Sequence, residues 1–423
     1  MRAQKSFVLA TIAALTFALS APACSDDEID PAGGGGSGAD DSAGGATGQG
    51  GQVGQGGEGG SDIVPDMDVV ELRLAVRGLF EDRVVWTRAY LIESIEGLPG
   101  RESAAARLLK NGDDFGAAIA PFYGDAAGSQ LSGLMNAAVG HAADAVDAAM
   151  VGDMTGFEAA RDEWYGAADD VAAFLASANP AWVEADVAAL LRSCIDDAVA
   201  EAVGRMNGDY EAELEAFEGH KATSFTVADA LASGIAQQFP SKVGPKGTTA
   251  KAEQLRSAMR GLFFDRASFV RFFLTDSIEG LASRPDTVAR LMKNNQDIGQ
   301  AIAPFYGEPA AAQLTGLLDL GLADAAAAVE AAMANDSVAF EAARDSWYAH
   351  ADETAEFLAA ANPAWPVADL KAMLRGCVDD ALAEASARLA DDWAADVAAH
   401  DMLRGQARAV ADALGNGVAQ QFP

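Results

Sequence analysis

Three cysteines in 423 residues are too few for a disulfide framework. Cys-x-x-Cys, His-Glu-x-x-His, Glu-x-x-His, a phosphate-binding Walker loop and Gly-x-Ser-x-Gly are all absent, so no familiar zinc, di-iron, nucleotide or hydrolase signature organises the chain. Basic residues are scarce: 29 Lys and Arg stand against 63 Asp and Glu, giving a formal net charge of -34. That balance repels phosphate backbones and excludes nucleic acid as a partner. Runs of alternating apolar and polar residues are missing, which argues against strands.

The chain does contain itself twice. Shifted by 183 residues, Val70–Pro240 matches Glu253–Pro423 without a gap. Arg77-Gly78-Leu79-Phe80 returns as Arg260-Gly261-Leu262-Phe263, and Pro121-Phe122-Tyr123-Gly124 as Pro304-Phe305-Tyr306-Gly307. A repeat of this length is a duplicated domain, not a solenoid unit. Alanine-rich segments punctuated by glycine and proline predict an all-α fold of two tandem up-and-down helical bundles, each with a core of its own. In the first copy the helices are expected near 67–96, 102–120, 125–151, 154–178, 183–206 and 208–238. The bundles span 67–240 and 253–423, with a linker over 241–252.

Upstream, Arg2 and Lys5 precede an apolar run from Phe7 to Leu19, the pattern of a secretory signal over residues 1–23. Ala23-Cys24 resembles a bacterial lipobox, which implies acylation of Cys24 and a membrane contact through lipid. Ser25 after the cysteine leans, by the same resemblance, towards the outer membrane. Residues 24–66 are rich in Gly, Ser and acid, a composition that cannot offset its own ordering entropy and reads as a tether. About 36 such residues average roughly 30 to 36 Å end to end.

Polar residues interrupt the apolar stripes at equivalent places in both copies. On the first helix these are Arg83, Arg88 and Glu93, repeated as Arg266, Arg271 and Asp276; on the fifth they are Cys194 and Glu201, repeated as Cys377 and Glu384. Two readings are open. They form satisfied internal ion pairs beside a small core thiol, or they converge inside each bundle as a polar pocket for an anionic or amphipathic ligand. A carboxylate-only metal site from Asp114, Asp169, Asp196 and Glu201 is a third arrangement the composition permits. No histidine recurs: His141 aligns with Asp324, His220 with Leu403, His350 with Ala167 and His400 with Phe217, so no imidazole chemistry is expected to be common to both copies. Repeated aromatics at helix ends, Tyr123, Trp164-Tyr165 and Trp182 with their counterparts, read as staples of the joints. Asn111-Gly112-Asp113-Asp114-Phe115-Gly116 resembles a helix break or cap within the helix expected near 102–120.

Leu79-Phe80 through Trp86-Thr87-Arg88, Phe122-Tyr123-Gly124, Trp164-Tyr165, Asn179-Pro180 and Gln238-Phe239-Pro240 together resemble a family of uncharacterised bacterial helical-bundle proteins, whose members are usually one copy long and sometimes carry a glycosyltransferase label. The resemblance implies a fold unit and no activity. It also implies histidine at the positions of Arg83, Ala138 and Cys194, and of Arg266, Gly321 and Cys377, all replaced in this chain. The functional expectation is therefore an envelope-anchored lipoprotein presenting two acidic bundles to an unknown envelope protein or ligand, with no catalytic residue, resident metal or cofactor. The alternative is an enzyme or a carrier of a metal or small ligand, with a polar site inside each bundle.

Overall fold

The computed structural model describes residues 66–423. The signal segment, the acylation site at Cys24 and the tether lie outside the described residues. The first repeat contains α1 (Val69–Ile95), α2 (Arg101–Tyr123), α3 (Asp125–Met150), α4 (Met154–Ala178), α5 (Glu184–Met206) and α6 (Tyr210–Gln238). The second contains α7 (Ala250–Glu279), α8 (Arg284–Tyr306), α9 (Glu308–Ala334), α10 (Ser337–Ala361), α11 (Val367–Leu389) and α12 (Trp393–Gln421). The protein is all-α apart from a two-residue parallel pairing of β1 (Met67–Asp68) with β2 (Val243–Gly244), which the sequence pattern did not announce.

Local chemistry sets the joints. Asp153, Asp209, Asp336 and Asp392 each cap a helix by accepting a hydrogen bond from a first-turn amide. The joint expected to open at Pro121 opens only at Gly124, and α2 runs on to Tyr123. Proline's missing N–H costs one hydrogen bond near the helix end, whereas Gly124, at φ 88° and ψ 161°, occupies backbone space that a side chain would oppose. Gly307 repeats this at φ 84°. The predicted break at Asn111 is also absent. Asn111 Nδ2 donates to the Leu79 carbonyl at 3.0 Å, and Asn294 donates to Leu262 at 2.9 Å, so each asparagine ties its helix to the first helix of its bundle.

Within each repeat, consecutive helices pack on one another, and the last helix returns to the first, α6 on α1 and α12 on α7. The joints are pinned as the aromatics suggested. Tyr123 donates to Gln238 at 2.8 Å, accepts from Asn179 at 3.0 Å and lies 5.8 Å from the Trp182 ring; Tyr306, Gln421, Asn362 and Trp365 repeat the set.

The expectation of separate cores holds at one end of each bundle only. One core, around Leu72, Phe80, Phe115, Val171 and Ile235, belongs to the first repeat, and its counterpart around Met259, Phe263, Ile298 and Val410 belongs to the second. A third core is built from both repeats: Trp86, Tyr90 and Phe217 from the first pack with Phe269, Phe272 and Phe273 from the second. Phe217 meets Phe269 and Phe272 edge-on at 5.5 and 5.9 Å between centroids. The physical reason is the first helix of each repeat, which is apolar on the face towards its own bundle and again on the opposite face, so that α1 and α7 bury each other.

Charges around this shared core repeat with the 183-residue shift. Arg107 binds Asp82 at 2.7 Å within its repeat and Asp401 at 2.8 Å across the boundary, and Asp82 also pairs with Arg404. Arg290 binds Asp265 at 2.7 Å and, across the boundary, Glu218 at 2.6 Å, while Asp265 takes Lys221 at 2.7 Å. Each residue meets the counterpart of its partner's position, which is the rule of an isologous dimer interface. The two repeats form such a dimer within one chain.

Candidate functional site

The ten candidate residues do not gather in one pocket per bundle. Arg88, Glu93, Glu201, Arg271, Asp276 and Glu384 go to the edge of the shared core. Arg83, Cys194, Arg266 and Cys377 stay inside the bundles.

At the boundary, Arg271 binds Glu384 at 2.8 Å and Asp396 at 2.9 Å, with its guanidinium 4.4 Å from the Trp86 ring of the other repeat. Arg88 binds Glu213 at 3.0 Å, lies 4.0 Å from Glu201 and stacks on Phe272 of the other repeat at 4.9 Å. Glu93 reaches across to Arg388 at 2.5 Å. Its counterpart Asp276, one methylene shorter, instead accepts from Ser283 and Thr287 at 2.9 and 2.6 Å, and burial holds its carboxyl above the ordinary range. These are ion pairs enclosed at the boundary, apart from Asp276, whose partners are hydroxyls. Deleting one member strands its partner in low dielectric, at about 3 to 5 kcal/mol.

Imidazole chemistry, expected not to recur, recurs in space. His220 Nδ1 lies 2.8 Å from Glu201, and His400 Nδ1 lies 3.2 Å from Glu384, the equivalent glutamate. His400 aligns with Phe217, one helical turn from the alignment position of His220. Residues three or four apart share a helix face, so either position delivers a ring to the same carboxylate. The exchange of places is the signal that an alignment by columns misses.

The other four residues line two cavities of unequal size. In the first repeat a cavity of about 240 Å³ is bounded by α1, α3, α4, α5 and α6. Its wall on α1 runs from Arg83 through Thr87 and Leu91 to Ile95, a rise of about 18 Å at 1.5 Å per residue. The antiparallel α4 contributes Val171 at the Arg83 end and Met154 at the other. Met154, Val203 and Met206 rim that second end and are 60, 49 and 43% exposed, which makes it the mouth. Thr87, Tyr90, Cys194, His220 and Ser224 are the uncharged or already partnered polar groups on the wall, and the rest of the lining other than Arg83 is apolar.

Arg83 is the exception. It makes no ion pair or side-chain hydrogen bond among the described residues, and its Nη1 is buried without a partner. Burial pulls its pKa down to about 10, opposed only by the thiol of Cys194. Cys194 is itself pushed up to about 11 by burial, with its Sγ 3.6 Å from the Ser224 hydroxyl, so it is a protonated thiol and not an activated nucleophile.

In the second repeat the matching cavity is about 90 Å³. Leucines at 322, 382, 389 and 403 stand where the first repeat has Val139, Val199, Met206 and His220, and Ser337 replaces Met154. Arg266 is also satisfied there: it hydrogen-bonds Asn295 Oδ1, whose amide in turn donates to Asp319 at 2.8 Å. The first repeat has Gly112 and Asn136 at those two positions, and Asn136 turns instead to Asp113 at 3.0 Å. The loss of one side chain at residue 112 leaves Arg83 alone.

The three positions at which the family resemblance implies histidine, Arg83, Ala138 and Cys194, all lie on the larger cavity, and Arg266, Gly321 and Cys377 all lie on the smaller. Among the described residues no group of three or more His, Cys, Asp or Glu is placed to hold a metal. The four acids weighed as a metal site are dispersed: Asp114 pairs with Lys110, Asp169 with Arg192, Asp196 with Tyr165 and Glu201 with His220. Also among the described residues, no helix is long and apolar enough to cross a membrane. Comparison with protein-family models, curated proteins and solved structures finds no match to this chain.

Proposed function

We propose that this protein is a binding protein of the cell envelope, in which the first repeat takes up an amphipathic small molecule and the second serves as its rigid mate. The observation that carries this reading is the long apolar cavity of the first repeat, open at an apolar rim and holding one cation without an ion pair, against the smaller cavity of the second, whose arginine is hydrogen-bonded. A void of about 240 Å³ exceeds the ~150 Å³ apolar cavity known to accept a benzene-sized guest. Leaving it empty forfeits packing, and leaving Arg83 unpaired costs desolvation, so the empty state is the strained one. The signal, the lipobox-like Cys24 and the glycine-rich tether support attachment to the envelope through lipid, with the outer membrane favoured by Ser25. The earlier expectation of equivalent sites in both bundles gives way to one site per chain.

Titration with 1-anilinonaphthalene-8-sulfonate, an apolar fluorophore bearing one anion, tests this. One equivalent per chain is expected to bind with enhanced fluorescence, and Ala142→Phe, which fills the cavity wall, is expected to abolish it while far-ultraviolet circular dichroism stays unchanged. Two equivalents, or binding that survives Ala142→Phe, would refute the single-site reading.

A further inference from the structure

The cavity's shape and its one charge narrow the ligand further, on the reading that the first repeat is a binding site. We propose that the first repeat binds a single-chain fatty carboxylate, head inward, with the carboxylate on Arg83 at the closed end and the alkyl chain running towards the rim at Met154, Val203 and Met206.

Three observations converge on this class. First, the cavity is a corridor. Its walls on the parallel helices α1, α3 and α5 advance together, from Arg83, Met135 and Leu191 at one end to Ile95, Ala149 and Met206 at the other. Twelve to fifteen residues of helix correspond to about 18 to 22 Å, a channel for an extended chain and not for a compact ring system.

Second, the polar groups are at the closed end or along one wall, not at the mouth. Arg83 lies with Cys194 and Ser224, and the rim is methionine and valine. A ligand entering tail first would leave its head among apolar side chains and Arg83 still unpaired. Entering head first, it satisfies the guanidinium and leaves only methylenes in the corridor. Each buried methylene contributes about 0.8 kcal/mol.

Third, the charge calls for one anion. Arg83 makes no ion pair among the described residues, while Arg88, Arg107, Arg205, Arg271 and Arg388, enclosed at the boundary between repeats, each make at least one. A guanidinium in low dielectric takes a carboxylate through two parallel hydrogen bonds. A dianionic head, such as a phosphate monoester, would leave one charge uncompensated. The second repeat shows the same arginine disarmed: Asn295 caps Arg266 and Asp319 lies behind it. Position 112 thus acts as the specificity determinant, glycine leaving the head site open and asparagine closing it.

Isothermal titration calorimetry of the full-length protein with decanoate, decanol and decyltrimethylammonium tests the assignment. Decanoate is expected to bind one per chain, at least tenfold tighter than decanol, with no detectable binding of the cation. Arg83→Leu should bring decanoate down to the affinity of decanol. Gly112→Asn combined with Asn136→Asp, which installs the second repeat's own partners, should weaken decanoate at least tenfold and decanol much less. Equal affinity of the wild type for decanoate and decanol would overturn the fatty-carboxylate assignment while leaving a cavity receptor standing. Preference for the cation, or undiminished decanoate binding in Arg83→Leu, would also overturn it. If none of the three amphiphiles binds, the assignment and the receptor reading both fail.

Discussion

The two repeats share a backbone plan and a boundary, yet differ at the interior that the boundary does not touch. Where they meet, substitutions preserve sign: Asp82 and Asp265, Arg107 and Arg290, Glu218 and Asp401, Lys221 and Arg404 each keep their charge after duplication. Inside, the same shift turns Gly112 into Asn295, Asn136 into Asp319, Val199 into Leu382 and Met206 into Leu389. A single-sided change in a buried ion pair across a boundary leaves the abandoned partner charged in low dielectric unless other groups take it up, as Ser283 and Thr287 take up Asp276. A cavity wall tolerates change readily, since filling a void with methylenes is favourable. The contrast separates what holds the molecule together from what was free to specialise.

The largest effect should come from cutting the repeats apart. Expressed separately, residues 66–249 and 250–423 would each expose half of the shared core, including Trp86 and Phe217 in one and Phe269, Phe272 and Phe273 in the other. The isolated halves are expected to self-associate or aggregate, and light scattering after gel filtration reads this directly. Well-behaved monomers of both halves would show that the boundary is dispensable.

A smaller and opposite pair of effects is expected at the equivalent arginines. Arg83→Leu removes an unpaired enclosed cation and should stabilise the ligand-free protein by about 1 to 3 kcal/mol, whereas Arg266→Leu strips Asn295 of its partner and should destabilise by about 1 kcal/mol. Urea unfolding midpoints at constant slope measure both. Shifts of the same sign would erase the asymmetry.

The smallest effect distinguishes two equivalent aspartates by pH. Asp197 accepts a hydrogen bond from Thr223 at 3.0 Å, whereas Asp380, with Gln406 at the threonine's position, has a buried oxygen without a partner. Burial, with Asp379 and Glu384 nearby, pushes the Asp380 carboxyl up to about 7. Its folded pKa therefore exceeds its unfolded one, so the folded state holds the extra proton between about pH 4 and pH 7. The stability contribution is complete below about pH 4, declines as pH rises through that window, and is lost above pH 7. Asp380→Asn should flatten the decline and raise the unfolding midpoint at pH 8, with little change at pH 4.

Much of the fold was legible because its punctuation is chemical. Glycine and proline joints, alanine-rich segments and repeated Gly-Leu-Phe and Phe-Tyr-Gly blocks placed the all-α bundles to within a few residues. Within the expected joint over 121–124 the helix ends only at Gly124, and the segment from Asn111 is continuous helix, because proline and asparagine weaken a helix without ending it near the stronger stop at Gly124. The boundary between repeats was not read, although α1 carried the sign: apolar residues on more than one face, and charges whose sign survives the 183-residue shift far from any local partner. The candidate residues, grouped by stripe, divide between the boundary and the cavities, because stripe membership fixes which face a residue occupies and not which neighbour that face meets. Arg83 became distinctive only once Gly112 was seen across from it. The histidines were discounted because equivalence was sought column by column, while a helix offers the same carboxylate to two positions a turn apart.

The small parallel pairing at the start of the described chain bears on how the molecule responds to load. Asp66 and Met67 donate to the Lys242 carbonyl at 2.7 and 3.1 Å, while the Asp68 carboxylate receives the Lys246 amide at 2.8 Å and the Thr248 hydroxyl at 3.1 Å. Tension arriving along the polypeptide from upstream of Asp66 is therefore shared with the segment joining the repeats before it reaches α1. Several short hydrogen bonds loaded side by side resist in shear, and the tryptophan and phenylalanine rings deeper in the molecule feel the pull only after that clasp has slipped.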